Sequence, residues 1–188
     1  INTFISEVKK IYESYGYNNT NINFYNITDE NSNTSDLFFT INEGKITKIN
    51  SLKFIGNNSI DNQLLINIIK SKTKTLRNIF ANNNFKRFVI DNDSRIISNY
   101  YRNKGYLDVK VDYSVEYLIS NRVNVTFNII EGDIYKYSTI KFLDNENILN
   151  NNTKEKIQFE IENSITNEEM FSFDKINDLK KNISKMII

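Results

Sequence analysis

Cysteine, histidine, proline and tryptophan are all absent from this 188-residue chain, and glycine occurs only five times. Without cysteine or histidine there is no thiolate nucleophile, no disulfide, no Cys/His zinc site and no imidazole acid-base chemistry. Only carboxylates, lysines, tyrosines and hydroxyls are left for any reaction. Most enzyme mechanisms are excluded on that ground. The lack of cysteine also removes any redox-compartment signal, because such a chain folds equally well in reducing and oxidising surroundings. The missing proline and tryptophan accompany abundant Asn, Ile, Lys and Tyr, a bias expected of an AT-rich genome. That bias accounts for the Asn-X-Ser/Thr triplets at Asn26-Ile27-Thr28 and Asn124-Val125-Thr126 better than sugar attachment does.

Charge of one sign is lacking too. With 24 basic and 23 acidic residues the net charge is +1, so no footprint for nucleic acid or anionic lipid stands out. No apolar run approaches the roughly 18 to 20 residues of a membrane helix, and the start at Ile1 shows neither a charged n-region nor a cleavage site. A hydrophobic fraction of 39% with 25% charge is that of a chain able to bury a core. Beginning inside one helical pattern and ending inside another, it reads as an excerpt from a longer polypeptide.

Phe4, Ile5, Val8, Ile11, Tyr12 and Tyr15 recur at three and four, which predicts a helix over 2–15 ended by Gly16. Strands are expected over 17–27 and 36–42 about a polar turn, with Glu43-Gly44-Lys45 closing the unit. A strand over 46–55 follows, then a turn whose Ser59 is placed to cap a helix bearing Ile60, Leu64, Leu65, Ile68 and Ile69. Residues 71–84 read as a loop with one apolar turn (Leu76, Ile79, Phe80, Ala81) tucked against the body. The pattern Phe88, Val89, Ile90, Ile96, Ile97, Tyr100, Tyr101 predicts a second helix, stopped by Gly105. After Tyr106, the residues Leu107, Val109, Val111, Tyr113 and Val115 alternate with Asp108, Lys110, Asp112, Ser114 and Glu116. The alternation resumes at Val123, Val125, Phe127 and Ile129, so an antiparallel hairpin with one buried face is expected. Glu131-Gly132-Asp133 closes this unit. A strand over 137–143 and helices over 153–162 and 173–188 then begin another.

The glycines make this a repeat. Gly16 to Gly105 spans 89 residues, Gly44 to Gly132 spans 88, and Phe54-Ile55-Gly56-Asn57 to Phe142-Leu143-Asp144-Asn145 spans 88 again. The unit is strand, helix, helix, strand, strand: a trailing half over 1–44, a complete copy over 45–132 and a leading half over 133–188.

This order resembles the polypeptide-transport-associated (POTRA) domain family, as carried in tandem by outer-membrane protein assembly factors. The residues that carry the resemblance are Tyr100-Tyr101, Gly105-Tyr106, Ile129-Ile130-Glu131-Gly132 and Phe54-Ile55-Gly56-Asn57, with Glu131-Gly132-Asp133-Ile134-Tyr135 similar to a junction between successive domains. Asp144 departs from the pattern where the turn glycine is expected. The resemblance implies an α+β fold of tandem domains, each a three-stranded mixed sheet packed on two antiparallel helices. It implies a non-enzymatic, cofactor-free module on the periplasmic face of a Gram-negative outer membrane, in a parent protein held by a barrel outside this chain. Its partners would be unfolded outer-membrane protein segments and accessory assembly lipoproteins, received by β-augmentation. The strand from Tyr106 to Glu116 would be the receiving edge, and Glu43, Gly44, Lys45, Glu131, Gly132 and Asp133 the interdomain joints. The alternative is an interaction scaffold of a two-partner secretion transporter, a translocation and assembly module or a division protein.

Side chains within these segments have simpler roles to fill first. Val109, Val111 and Tyr113 are expected in the core, so recruitment would use their backbone. Lys110 and Asp112 are expected to protect the edge by charge. Tyr100, Tyr101 and Tyr106 read as packing anchors with wet hydroxyls, and Glu43 and Glu131 as turn caps or setters of the domain angle.

Overall fold

A computed structural model of the chain describes residues 1–74 and 79–187. In order, the elements are α1 (Asn2–Tyr15), β1 (Asn21–Asp29), β2 (Thr34–Asn42), β3 (Lys48–Ile55), α2 (Asn62–Ile68), α3 (Arg87–Arg102), β4 (Lys110–Leu118), β5 (Arg122–Ile130), α4 (Asn151–Ser164) and α5 (Phe173–Ile187). The fold is α+β. Two compact units divide it: 1–96 with 112–128, and 97–111 with 129–188.

In the first unit, α1 ends as its periodicity predicts. Gly16 takes φ 100°, its N–H donates to the Glu13 carbonyl at 2.9 Å, and Tyr17 N–H reaches back to Tyr12 O at 3.0 Å. This paired closure needs a left-handed residue, which glycine supplies without the Cβ penalty. β1 and β2 form an antiparallel hairpin in register from Asn21↔Asn42 to Asp29↔Thr34. Its turn is fastened by Asp29, whose carboxylate accepts Asn31 N–H and the Ser32 hydroxyl. The Ser32 bond is the main reason that this carboxyl sits below its ordinary pKa.

The second sheet has the order β3-β5-β4, with β3 parallel to β5 from Lys48↔Arg122 to Ile55↔Asn128. Val123, Val125 and Phe127 on β5 are fully buried, as are Leu65 of α2, Phe85, and Ile90 of α3. Each such side chain contributes about 1.5–3 kcal/mol by leaving water. Phe54 of β3 stacks on Phe127 with ring centres 5.5 Å apart. Buried among these apolar groups is Asp93, whose carboxylate accepts Lys70 N–H at 2.7 Å and Ser71 N–H at 2.9 Å just past α2.

In the second unit, Tyr137, Ile157, Ile161, Ile165 and Leu179 form a small core on α4 and α5. Asn150 caps α4 by accepting Thr153 N–H.

Several expectations are corrected. Residues 137–143 form no strand; only an isolated bridge, Lys136↔Met170, lies beside them. A strand is defined by ladder bonds to a neighbour, and no β5-like neighbour exists for it among the described residues. The cap of α2 is Asp61, which accepts Gln63 N–H at 2.7 Å, not Ser59. In the 71–84 loop Leu76 lies outside the described residues, while Ile79 and Phe80 are 56% and 93% exposed rather than tucked in. The loop is anchored instead by buried Asn83 and Phe85 at its end.

Candidate interface: an edge strand and two duplicated joints

The order β3-β5-β4 leaves β4 with a neighbour on one side only. The strand begins at Lys110, four residues after Tyr106. Tyr106, Leu107, Asp108 and Val109 form a tight turn in which Leu107 N–H donates to Gly105 O and Val109 N–H to Tyr106 O. The Gly105 helix stop has to reverse the chain before pairing can start, which consumes these four residues. From Lys110 to Glu116, exposed Lys110, Asp112, Ser114 and Glu116 alternate with half-buried Val111, Tyr113 and Val115. Asp112–Leu118 lies in the first unit, where Tyr113 hydroxyl donates to Asp91 at 2.7 Å and Arg87 reaches the Tyr117 hydroxyl at 3.3 Å. Burial, aided by Asp91, pushes the Tyr113 hydroxyl pKa up. These contacts tie the side chains of β4 to α3, and among the described residues β5 is its only strand neighbour.

The opposite edge of the sheet is less available. Ile49 of β3 donates its N–H to Asn83 O at 2.7 Å and accepts Asn83 Nδ2 at 3.0 Å, and Lys48 bridges Asn84.

The joints are built twice on one plan. After Gly44, Thr47 N–H donates to Gly16 O (2.9 Å), Phe85 N–H to Thr47 O (2.8 Å) and Ile49 N–H to Asn83 O. After Gly132, Tyr135 N–H donates to Gly105 O (2.9 Å), Phe171 N–H to Tyr135 O (3.0 Å) and Tyr137 N–H to Glu169 O (2.9 Å). The isolated bridges Lys48↔Asn84 and Lys136↔Met170 repeat likewise. Each set lies inside one compact unit. The segments at Thr47 and Tyr135 therefore pass between the glycine-stopped ends of α1 and α3 and the residues just before α3 and α5, respectively.

Glycine is required at both stops. A Cβ on Gly105, at φ +94°, would sit 3.0 Å from Tyr135 O and 3.1 Å from Ile134 Cγ2; one on Gly16 would sit 3.2 Å from Ile46 Cγ2. Gly132, at φ +76°, lies against Asp108, and Gly44 against Asn19. Of the other joint residues, Glu43, Lys45 and Asp133 are exposed. Glu43 offers its backbone carbonyl to the Thr20 hydroxyl.

Around the second joint, Glu131 accepts the Tyr101 hydroxyl at 2.9 Å, and Asp108 accepts the Tyr135 hydroxyl at 2.6 Å. Tyr101 is fully buried, and that burial, with Glu131 beside it, drives its hydroxyl pKa well above the ordinary tyrosine value. Tyr101 meets Tyr106 edge-on at 5.6 Å, as Tyr12 meets Tyr17 at 6.1 Å one copy earlier. Tyr101 and Tyr106 are thus packing anchors, and Glu131 is a hydrogen-bond acceptor for one of them. Asp93 and the backbone bonds of the joints were not singled out by sequence reasoning. A carboxylate between Ile90 and Ile97 on the buried stripe of α3 was the available signal for the first; main-chain bonds leave none. Among the described residues no group of three or more acidic side chains is arranged to hold a metal, and no helix is long and apolar enough to cross a membrane.

A strand, two helices and a hairpin, with the last strand running parallel to the first at the sheet centre, define a POTRA domain. Residues 47–132 match the family model "POTRA: Surface antigen variable number repeat", and this segment of the chain belongs to the POTRA family. The chain is similar to the protein named outer membrane protein assembly factor BamA of Neorickettsia risticii, 24% identical over 82% of the chain. It is also similar to that of Buchnera aphidicola, 25% identical over 99%. It spans 21% and 30% of the lengths of these two relatives. The crystal structure of Haemophilus influenzae BamA POTRA3-5 shares its fold, with a TM-score of 0.56 at 16% identity over 98% of this chain and 68% of that one. Beyond that segment, the chain is similar in sequence to BamA and shares the fold of BamA POTRA domains.

Proposed function

We propose that this chain is a periplasmic, non-enzymatic part of an outer-membrane β-barrel assembly protein, receiving unfolded outer-membrane protein segments along the outer edge of β4. The observation that carries the reading is the terminal place of β4 in the order β3-β5-β4, with Tyr113 bonded to Asp91 of α3 and the opposite edge partly occupied by Asn83 and Asn84. An extended segment adds there through main-chain bonds, which are indifferent to sequence and contribute about 1 kcal/mol each. Weak, releasable capture of many clients follows. Lys110, Asp112 and Glu116 keep the vacant edge from pairing with copies of itself. The repeat boundaries we assign are 1–44, 45–132 and 133–188, with Glu43-Gly44-Lys45 and Glu131-Gly132-Asp133 as the seams. Accessory assembly lipoproteins are the second class of partner in this reading.

Chemical-shift mapping with an unfolded outer-membrane-protein peptide tests this. Amides from Lys110 to Glu116 are expected to move first, and substituting alternate peptide amides with N-methyl groups should abolish the effect. Perturbation confined to the helices would refute it.

A further inference from the structure

The two complete hairpins superpose by sequence: β1 and β4 are offset by 89 residues, β2 and β5 by 88. On the helix-facing side the copies agree. Phe24 and Phe39 answer to Tyr113 and Phe127, and Phe39 meets Phe4 of α1 at 5.1 Å, which fixes that side as the inner one. On the outer side they differ in kind. The complete copy carries Ser114, Glu116, Asn124 and Thr126 there, with Asn124 donating to Glu116 at 2.8 Å and accepting from Asn50 and Ser51. The trailing half carries Tyr25, Ile27 and Phe38 at the first, second and fourth of these positions.

Tyr25 and Phe38, directly paired, stack with ring centres 5.0 Å apart and planes 12° from parallel, yet stay 55% and 40% exposed; Ile27 is 57% exposed. The same face of the complete copy is polar, and part of it is bonded to Asn50 and Ser51 of β3. The charge around the β1–β2 hairpin is one-sided. From Ile11 to Gly44 there are five acidic residues and no lysine or arginine, in a chain whose net charge is +1. Asp36 stands directly opposite Ile27 on the outer face, and Asp29 and Glu30 follow at the tip.

We infer that the outer face of the β1–β2 hairpin is a docking surface for an extended, basic and aromatic segment of a partner protein. Aromatic or aliphatic residues of the partner would cover the Tyr25–Phe38 pair and Ile27, and its lysines or arginines would lie against Asp36, Asp29 and the face of Tyr25. This surface uses side chains on a sheet face, so it is independent of the backbone edge assigned to β4.

Because the chain has no tryptophan, the test uses fluorescence anisotropy of a blocked hexapeptide in which lysine alternates with phenylalanine around one tryptophan. Amide mapping locates the contact. Expected are shifts over residues 23–27 and 36–40, and binding at least tenfold weaker for the same peptide with glutamate in place of lysine. The double variant Tyr25→Ser, Phe38→Thr installs the residues of the complete copy, and so should keep the hairpin amide pattern and lose binding at least tenfold. Asp36→Lys should reduce the preference for the lysine peptide. Equal binding of both peptides, self-association of the chain through this face, or shifts along β4 with none on the hairpin would overturn the inference. The last result would leave the edge-strand reading standing.

Discussion

Replacing Gly105 by alanine should open one joint and leave its duplicate closed. Gly105 holds φ +94°, where an L-residue costs about 1–2 kcal/mol. The added Cβ would meet the Tyr135 carbonyl oxygen at 3.0 Å and Ile134 Cγ2 at 3.1 Å, and the first of these is backbone that cannot rotate aside. The strain and crowding together amount to about 2–4 kcal/mol. Relief requires the linker to move away, which stretches Tyr135 N–H to Gly105 O and disturbs Phe171 N–H to Tyr135 O. Native-state hydrogen exchange reads this directly, since protection reports local opening free energy. The amides of Tyr135 and Phe171 should exchange about thirtyfold to a thousandfold faster, at roughly tenfold per 1.4 kcal/mol. Those of Thr47, Ile49 and Phe85, the equivalent donors of the other joint, serve as internal controls and should not change. Gly16→Ala is the milder counterpart, because its Cβ would meet only side-chain atoms, Ile46 Cγ2 at 3.2 Å and Asn84 Cβ at 3.3 Å. Exchange at Tyr135 and Phe171 within about threefold of wild type, or equal acceleration at both joints, would refute the reasoning.

Asp93→Ala removes two charge-assisted bonds and strands the Lys70 and Ser71 donors, at a cost of about 3–5 kcal/mol. Urea unfolding should show it, Asp93→Asn should lose less, and an alanine variant within about 1 kcal/mol of wild type would contradict the role. The turn before α4 should be sensitive to acid. Asp144 accepts Leu149 and Ile148 N–H and pairs with Lys154 at 3.1 Å; the Leu149 bond foremost holds its carboxyl below the ordinary 3.8. A depressed carboxylate contributes its stability above the unfolded value and loses it as pH falls from about 3.8 through the folded one. Amide shifts of Ile148 and Leu149 should therefore titrate below pH 3.8, and Asp144→Asn should flatten that response.

Local signals were legible where they are repeated or periodic. The stripe of α1, the alternation of β4 and β5 and the glycines at 16, 44, 105 and 132 each fix an element or its end by the conformation of a few neighbouring residues. Pairing is another matter. The segment 137–143 alternates as β3 does, yet among the described residues it has no β5-like neighbour and forms no ladder, because a strand is a property of two segments. The start of β4 at Lys110 and the capping of α2 by Asp61 depend on how a turn is threaded, which composition leaves open to within a few residues. In the candidate interface, the edge position of β4 followed from the family topology. The joint bonds run between backbone groups that every sequence possesses, so no residue type announced them.

The duplicated joint has a consequence for how such arrays are spliced. By the boundaries we propose, the stop glycine falls in one repeat and the segment beginning at Thr47 or Tyr135 in the next, yet the two are bonded to each other. A cut at Gly44 or Gly132 looks clean in the primary structure and severs matched halves of one fitting. Stability along the array is then a nearest-neighbour quantity. Repeats exchanged between related chains should be tolerated in adjacent pairs and resisted one at a time, even where each folds well alone.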